Sequence, residues 1–542
     1  MNDPVSGPVS DPVRTGRSAP RSAVVIGGGL AGMLAAAVLA RYAGEVTVVD
    51  RDVLPDGPRA RRSLPQAHHA HLLWSGGARA IESLLPGTTD RWLAAGARRI
   101  PLPTGLVSMS ALGWFRRWPE MQFLIACSRD LLDWVVREQV LALPNVRLLE
   151  RTELLGLDGD ADRVHGVRVR CAEHGERPLA ADLVVDASGR GSRAPEWLRA
   201  LGLGTVDEEE VDSGLAYASR IFRAPKGAED FPVVNVQADA REPRPGRTAT
   251  IVPLEGGRWL VTLSGTRGGE PTGAAEEFED FARSVRHPVV GELISLREPL
   301  TEVVVNRSTV NRRRFFEKAD RWPEGFVAIG DAVATYNPVY GHGMSVAAQG
   351  VVALRTELER HGIGAPGLAR RVQRAVARPV SMAWDLATGQ DILYPEAKGK
   401  RPGRGSELLR RYVDRLMLTA TGRPIVMKAL FDVMTLSAPL TSLARPEIAL
   451  AVLRGPQQAQ LPGPPLTDGE WRIAKEPASW EPPADAAPDR PEDAADRPAG
   501  LADLGDTADL GDTADRPVGS ADLGDTADLG DAAARETDPA GA

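Results

Sequence analysis

The stretch AVVIGGGLAGMLAAAVLARYAGEVTVVD, residues 23–50, constrains the fold of this chain more than any other. Ala23 to Ile26 is a short apolar run of strand type. Gly27, Gly29 and Gly32 follow in G-x-G-x-x-G spacing, and Leu30 to Tyr42 is dense in helix formers. The first glycine lets the chain turn, the second lets backbone approach a pyrophosphate, and the third lets the helix pack on the strand. Phosphates then sit on the helix N-terminus, where unpaired N–H groups and the positive dipole end favour an anion. Glu45 to Asp50 supplies a second strand, and Asp50 stands 18 residues beyond Gly32, where an acidic side chain takes ribose hydroxyls. Strand, glycine turn, helix, strand and acidic residue together predict a dinucleotide-binding unit.

A signal peptide or membrane span is the competing reading, because 14 of the 18 residues from Ala23 to Ala40 are apolar. Three consecutive glycines disfavour the helix such a segment needs. No other window is apolar enough, and Cys127 and Cys171, the only cysteines, have neither disulfide nor zinc-site spacing. The expectation is a soluble, cytoplasmic protein without a metal site.

The net charge of −8 is unevenly spread: residues 471–542 carry 18 acidic and 6 basic side chains, a net −12, which leaves +4 for residues 1–470. Nothing in that balance points to nucleic acid. In the acidic tail, ADRPAGLADLGDTADLGDT at 495–513 recurs as ADRPVGSADLGDTADLGDA at 514–532. Each repeat offers three large apolar side chains, too few to offset the entropy of ordering it, so 471–542 reads as a disordered tail. Residues 1–20, rich in Pro, Ser and Gly, read as a second flexible end.

Between these ends, a Pro- and Arg-rich loop after Asp50 leads to a helix expected near Leu72. His68, His69 and His71 in that loop lack a carboxylate or thiol set for a metal, which favours a structural or cofactor-lining role. Ile100 to Ile125 carries Trp114, Phe115, Trp118 and Phe123 in strand-like alternation. Cys127 to Val140 is an amphipathic helix that Ser128 or Asp130 can cap, with Arg129 at the end from which it reaches phosphate oxygens. Asp182 to Gly189, DLVVDASG, is a buried parallel strand leaving into a glycine turn. Leu215–Phe222, Val233–Gln237, Ala249–Leu254, Trp259–Ser264 and Glu302–Arg307 read as strands with short turns, an antiparallel sheet able to wall a substrate pocket. Leu408 to Leu453 carries long apolar helical patterns.

The second decisive stretch, GFVAIGDAVATYNPVYGHGMSVAAQGVVAL at 325–354, repeats the opening logic. An apolar strand ends at Gly330-Asp331, a loop with Pro338, Gly341 and Gly343 follows, and a helix begins near Met344. Asp331 can accept hydrogen bonds from polyol hydroxyls, and the helix N-terminus can stabilise negative charge on a ring system. A nicotinamide enzyme has no need of this second site; FAD, with its ribityl chain and flavin ring, does.

With these two stretches, and with PQAHHAHLLWSGGARAIESLLPGTTDR, CSRDLLDWVVRE, VDSGLAYASRIFRAP and GRWLVTLSGTRGGEP between them, the chain resembles FAD-dependent monooxygenases of the para-hydroxybenzoate hydroxylase fold. Within that superfamily it is most similar to the polyether epoxidases, such as the lasalocid and monensin epoxidases. The resemblance runs from about Ser22 to about Pro465. It implies an α/β fold: a Rossmann-like FAD-binding domain (21–95, 126–212, 308–395), an inserted antiparallel β-sheet substrate domain (96–125, 213–307) and a C-terminal helical region (396–470). It implies that Gly27, Gly29, Gly32, Asp50 and Arg51 hold the ADP half of non-covalent FAD. Arg129 then touches the phosphate or ribityl region, Asp331 the ribityl hydroxyls, and Gly341, Gly343 and Met344 the flavin edge. Trp114, Tyr336 and Pro338 are substrate-pocket candidates.

The implied activity is epoxidation of a linear polyene polyketide, free or carrier-protein-bound, by a flavin C4a-hydroperoxide formed with O2. Electrons come from NADPH or NADH, directly or through a separate flavin reductase. No side-chain nucleophile or base is required, and no triad-like motif is present. Two departures stand out: His68 occupies a position where similar sequences have Arg, and Ser188-Gly189 stands where aromatic hydroxylases of this fold have Asp-Gly. Alternatives are an isoprenoid double-bond reductase, an aromatic hydroxylase, a flavin-dependent halogenase, disfavoured by the lack of any lysine before Lys226, and a non-catalytic flavoprotein module.

Overall fold

Five short parallel strands form the spine of the computed structural model, which describes residues 21–61, 64–171, 174–307, 309–401, 403 and 406–476. Across the sheet they run Phe326–Ala328, Leu183–Asp186, Ser22–Ile26, Glu45–Val49 and Val146–Leu149. The side chains of the first three are almost continuously buried, as expected where helices cover a parallel sheet, while the last two carry the exposed Glu45 and Arg147. The helices Leu30–Leu39, Arg129–Leu141, Gly343–His361 and Leu368–Asp391 pack into the same apolar core. Ser128 caps the second of these, its hydroxyl accepting from the Leu131 amide at 3.2 Å.

A seven-stranded sheet stands beside this unit, ordered Val304–Asn306, Ala216–Arg223, Arg258–Gly265, Arg247–Leu254, Val233–Val236, Leu106–Ser110 and Gly113–Trp114. It is antiparallel except where Leu106–Ser110 lies parallel to Val233–Val236. Side-chain alternation divides its faces. Ala218, Phe222, Trp259, Val261 and Ile251 point to one core, shared with the helices Phe278–Ser284 and Val289–Ile294. Leu260, Val252, Leu254 and Ile221 point to another, closed by the helices Ser406–Ala420, Pro424–Met434 and Pro446–Arg454.

Two sequence expectations shift. The segment near Leu72 opens as the strand Leu73–Trp74, paired with Leu124 and Ile125, and its helix starts at Ser75. The partner strand Gln122–Ala126 claims these residues, and Gly76-Gly77 lets the helix run close under Leu436 and Ser345. The acidic tail also begins later than residue 471. Thr467 and Glu470 form a reciprocal capping box for the helix Asp468–Lys475, and Glu470 pairs with Arg117 at 2.6 Å. The repeats at 495–532 and residues 1–20 lie outside the described residues. Among the described residues no helix is long and apolar enough to cross a membrane, and no cluster of His, Cys, Asp and Glu could hold a metal ion.

Candidate functional site

Ile26 is flanked by Val49 and Asp186 across the parallel sheet, so the turn after it opens at the carboxyl edge, where such sheets take their ligands. Gly27 has φ of 98°, and a Cβ there would stand 2.6 Å from the Ala187 carbonyl oxygen. At Gly32 a Cβ would stand 1.8 Å from the Gly27 carbonyl oxygen. Both contacts are with backbone, so no rotamer change relieves them. Gly29 differs: nothing lies within 4 Å of its Cβ position, and it begins the helix Leu30–Leu39 with no side-chain cap. Open space over unpaired N–H groups suits a pyrophosphate.

Asp50 lies beneath this turn. Its Oδ2 accepts from the Gly28 amide at 2.7 Å and Arg61 Nη2 at 2.9 Å, and its Oδ1 accepts from the Asp52 amide at 2.9 Å. A carboxylate has about four acceptor positions, so one stays open for a ribose hydroxyl. Arg61, from the Pro- and Arg-rich loop, also donates to the Gly28 carbonyl at 3.2 Å, while neighbouring Arg51 is exposed.

Asp331 sits in the turn after Phe326–Ala328, at the same edge of the sheet. Burial raises its carboxyl above the usual range, opposed by the positive charges of Arg129 and Arg190. Among the described residues no hydrogen bond reaches this carboxylate. Its Oδ1 lies 3.9 Å from the Cβ position of Gly343, at the start of the helix Gly343–His361, which has no side-chain cap either. Gly341 has φ of 65°, and a Cβ there would press on Trp74 Nε1 at 3.0 Å. Two uncapped helix N-termini with a partnerless carboxylate between them fit a long dinucleotide with a polyol centre, so the residues present fit FAD.

Three histidines adjoin this second half. His71 Nδ1 donates to the His69 carbonyl at 2.8 Å, and burial followed by Arg129 lowers its pKa to about 3. His342 Nε2 donates to the Met434 carbonyl at 3.0 Å, and burial lowers its pKa to about 4. His69 meets the substrate sheet. The Ala70 amide donates to Thr262 Oγ1 at 2.9 Å, Thr262 and Ser219 hydroxyls are 2.7 Å apart, and Ser219 Oγ is 2.8 Å from His69 Nδ1. This relay holds the Nδ1 side of the ring, while Nε2 is buried with no hydrogen-bonding partner among the described residues. Burial lowers the pKa of His69 to about 4, so the ring is neutral.

The structure thus brings Gly27, Gly29, Gly32 and Asp50 together at one end, and Arg129, Asp331, Gly341, Gly343 and Met344 at the other. Arg129 Nε is also held by Asp133 at 2.9 Å. Two pocket candidates need correction. Trp114 is buried on the far face of the substrate sheet, edge-on to His287 at 5.2 Å, because strand alternation turns it away from His69 and Thr262. Tyr336 points into the dinucleotide-side core, its hydroxyl donating to the Val380 carbonyl at 3.3 Å. Pro338 remains half-buried in the loop before Gly341. Sequence reasoning missed Arg61 and Arg190. Arg190 directly follows the DASG turn, so adjacency to a motif was its only signal.

The family described as FAD dependent oxidoreductase matches residues 23–196. Protein Rv3254 of Mycobacterium tuberculosis is 32% identical over 389 residues, 69% of this chain and 81% of its own length. Kynurenine 3-monooxygenase of Salinispora arenicola is 31% identical over 357 residues, 64% of this chain and 74% of its own. Among solved structures, the myxobacterial chondrochloren halogenase CndH superimposes with a TM-score of 0.54 at 17% identity, over 78% of this chain and 98% of the other. PqsL, a probable FAD-dependent monooxygenase from Pseudomonas aeruginosa, gives 0.51 at 18%, over 69% and 97%. The structural likenesses establish the flavin monooxygenase fold.

Proposed function

Since the chain belongs to the FAD-dependent oxidoreductases, a relative of kynurenine 3-monooxygenase with the flavin monooxygenase fold, we propose that it is an epoxidase of alkenes in an extended apolar substrate. The observation that supports this reading is the packed apolar core beside the second half of the cleft, against which Ala70, Leu72 and Trp74 lie. Ile221, Val252, Leu254, Leu260 and Phe115 meet Leu416, Met427 and Phe431 of the C-terminal helices in one apolar core. Two ionisable side chains beside it are neutral: His69 by its depressed pKa, and Tyr217 by burial that pushes its phenol well up. An isolated alkene supplies its own electron pair, so apolar surroundings without an activating base suit it.

In this reading Gly27, Gly29 and Gly32, with Asp50 and Arg51, hold the ADP half of non-covalent FAD. Arg129 and Asp331 orient its phosphate and ribityl groups, and Gly341, Gly343 and Met344 meet the ring. FAD, reduced by NADPH or NADH directly or through a separate reductase, supplies the activation of O2. The protein aligns the double bond and excludes water. A linear polyene polyketide, free or carrier-bound, is the substrate class.

A second reading, hydroxylation of an aromatic ring, is favoured by the similarity to kynurenine 3-monooxygenase. A competition separates the two. The enzyme with FAD, reduced nicotinamide and isotope-labelled oxygen is offered simple phenols beside a trisubstituted polyene. A polyene product one labelled oxygen heavier, opening to a diol in acid, supports epoxidation; labelled phenol products with no polyene epoxide overturn it.

A further inference from the structure

Asp391, the last residue of the helix Leu368–Asp391, is almost fully buried and has no role in the reading above. Tyr340 Oη donates to its Oδ1 at 2.7 Å, and Asn311 Nδ2 and Asn337 Nδ2 donate to its Oδ2 at 2.7 and 2.8 Å. The Ser213 hydroxyl adds a further hydrogen bond. Among the described residues no cation pairs with it. Burial pushes its carboxyl up, and these four donors pull it back.

The cluster's polarity identifies the form it is built for. A carboxylate only accepts, so Asn337 must turn Nδ2 toward it, leaving Oδ1 to accept from the Tyr217 hydroxyl at 2.8 Å and the Val339 amide at 3.1 Å. Asn311 likewise turns Nδ2 inward and keeps Oδ1 for the Asn337 amide at 2.7 Å. Every donor has an acceptor when Asp391 is ionised, whereas protonation adds a donor to a group made of donors. Asn337 and Tyr340 open and close the turn that leads into Gly341 and the helix Gly343–His361.

We propose that Asp391 is the positioning residue of the cofactor loop: a buried anion that fixes the Asn337–Tyr340 turn, ties it through Tyr217 to the substrate sheet, and lowers the reduction potential of the flavin held beyond it. The inference rests on the FAD reading of this cleft. A negative charge in a low-dielectric interior disfavours adding electrons to a nearby ring, and a rigid turn lowers the entropy cost of binding.

Two variants of the full chain test this by FAD titration of apoprotein and reductive titration of the bound flavin. Asp391→Asn removes the charge; its expected result is a midpoint potential above wild type and FAD affinity at least about tenfold weaker, the scale of one charge-assisted hydrogen bond. Tyr340→Phe keeps the charge and removes one donor; weaker FAD binding at the wild-type potential is expected. A wild-type potential in FAD-loaded Asp391→Asn overturns the electrostatic role, and wild-type FAD affinity in Tyr340→Phe overturns the positioning role even if Asp391→Asn fails to fold. A wild type that binds no FAD overturns the cofactor reading and this inference with it; a wild type that binds FAD beside variants identical to it overturns this inference alone.

Discussion

Around Gly27–Gly32 the chain makes its site out of backbone: a positive φ, two approaches too close for a Cβ, and a bare helix N-terminus at Gly29. Around Asn337–Met344 it uses side chains from distant elements instead, with Asp391, Asn311 and Tyr217 gripping the turn and Asp331 left without a partner. The first end is rigid because its atoms have nowhere to go. The second is rigid because buried polar groups satisfy one another, and it therefore depends on their protonation. Substitution and acid should accordingly affect the two ends differently.

The largest effect is expected at the glycine end. Gly27→Ala and Gly32→Ala force a Cβ onto a carbonyl oxygen and should cost roughly 3 kcal/mol or more of stability, read as a large fall in melting temperature or loss of soluble protein. Gly29→Ala, with open space at its Cβ position, should leave apoprotein melting unchanged and lower only FAD affinity. Equal damage from Gly29→Ala and Gly27→Ala would break the distinction within this end.

Acid should loosen the second end first. His69 and His342 have folded pKa values of about 4, below the ordinary 6.5, so the folded state binds fewer protons than the unfolded chain between those values. Their contribution is fully present above pH 6.5 and is lost as pH falls toward about 4, on the order of 3 kcal/mol for each imidazole. Denaturant melts across that window should show stability falling, and replacing His342 with Gln should flatten the slope. An unchanged slope would remove the protonation contrast.

Next in size is Asp331→Ala. Losing a charge-assisted hydrogen bond to a ribityl hydroxyl should weaken FAD by roughly 1.5 to 3 kcal/mol. Apoprotein stability should hold, since the half-buried carboxylate makes no hydrogen bond among the described residues. Full FAD affinity in this variant would take Asp331 out of the cradle. The smallest effect is expected for Tyr217→Phe, which removes one hydrogen bond to Asn337 and should cost about 1 kcal/mol of stability. A change in FAD affinity as well would show the substrate sheet pulling on the cofactor loop.

The two ends also differ in how far the sequence reveals them. Gly27, Gly29, Gly32 and Asp50 are legible because backbone geometry leaves a local mark, glycines at fixed spacing after an apolar run. The strands of the substrate sheet are legible for a similar reason, through alternation and turn residues. Asp391 is not: it lies 54 positions from Asn337 and 80 from Asn311, at the end of an ordinary amphipathic helix. Only tertiary packing makes it a hub. Trp114 and Tyr336 fail differently, because a sequence gives their apolar character but not which face of a sheet or which core they enter. Asp50 is a mixed case, since its position is legible but the prior claim of Gly28 and Arg61 on its oxygens is not.

The central claim is that both ends grip one FAD molecule without a covalent link. It is tested most directly by titrating the apoprotein with FAD and then precipitating the complex in acid. Saturation near one equivalent per chain, with all the yellow colour released to the supernatant, is the predicted result. No saturable binding, or colour that stays with the pellet, would contradict it.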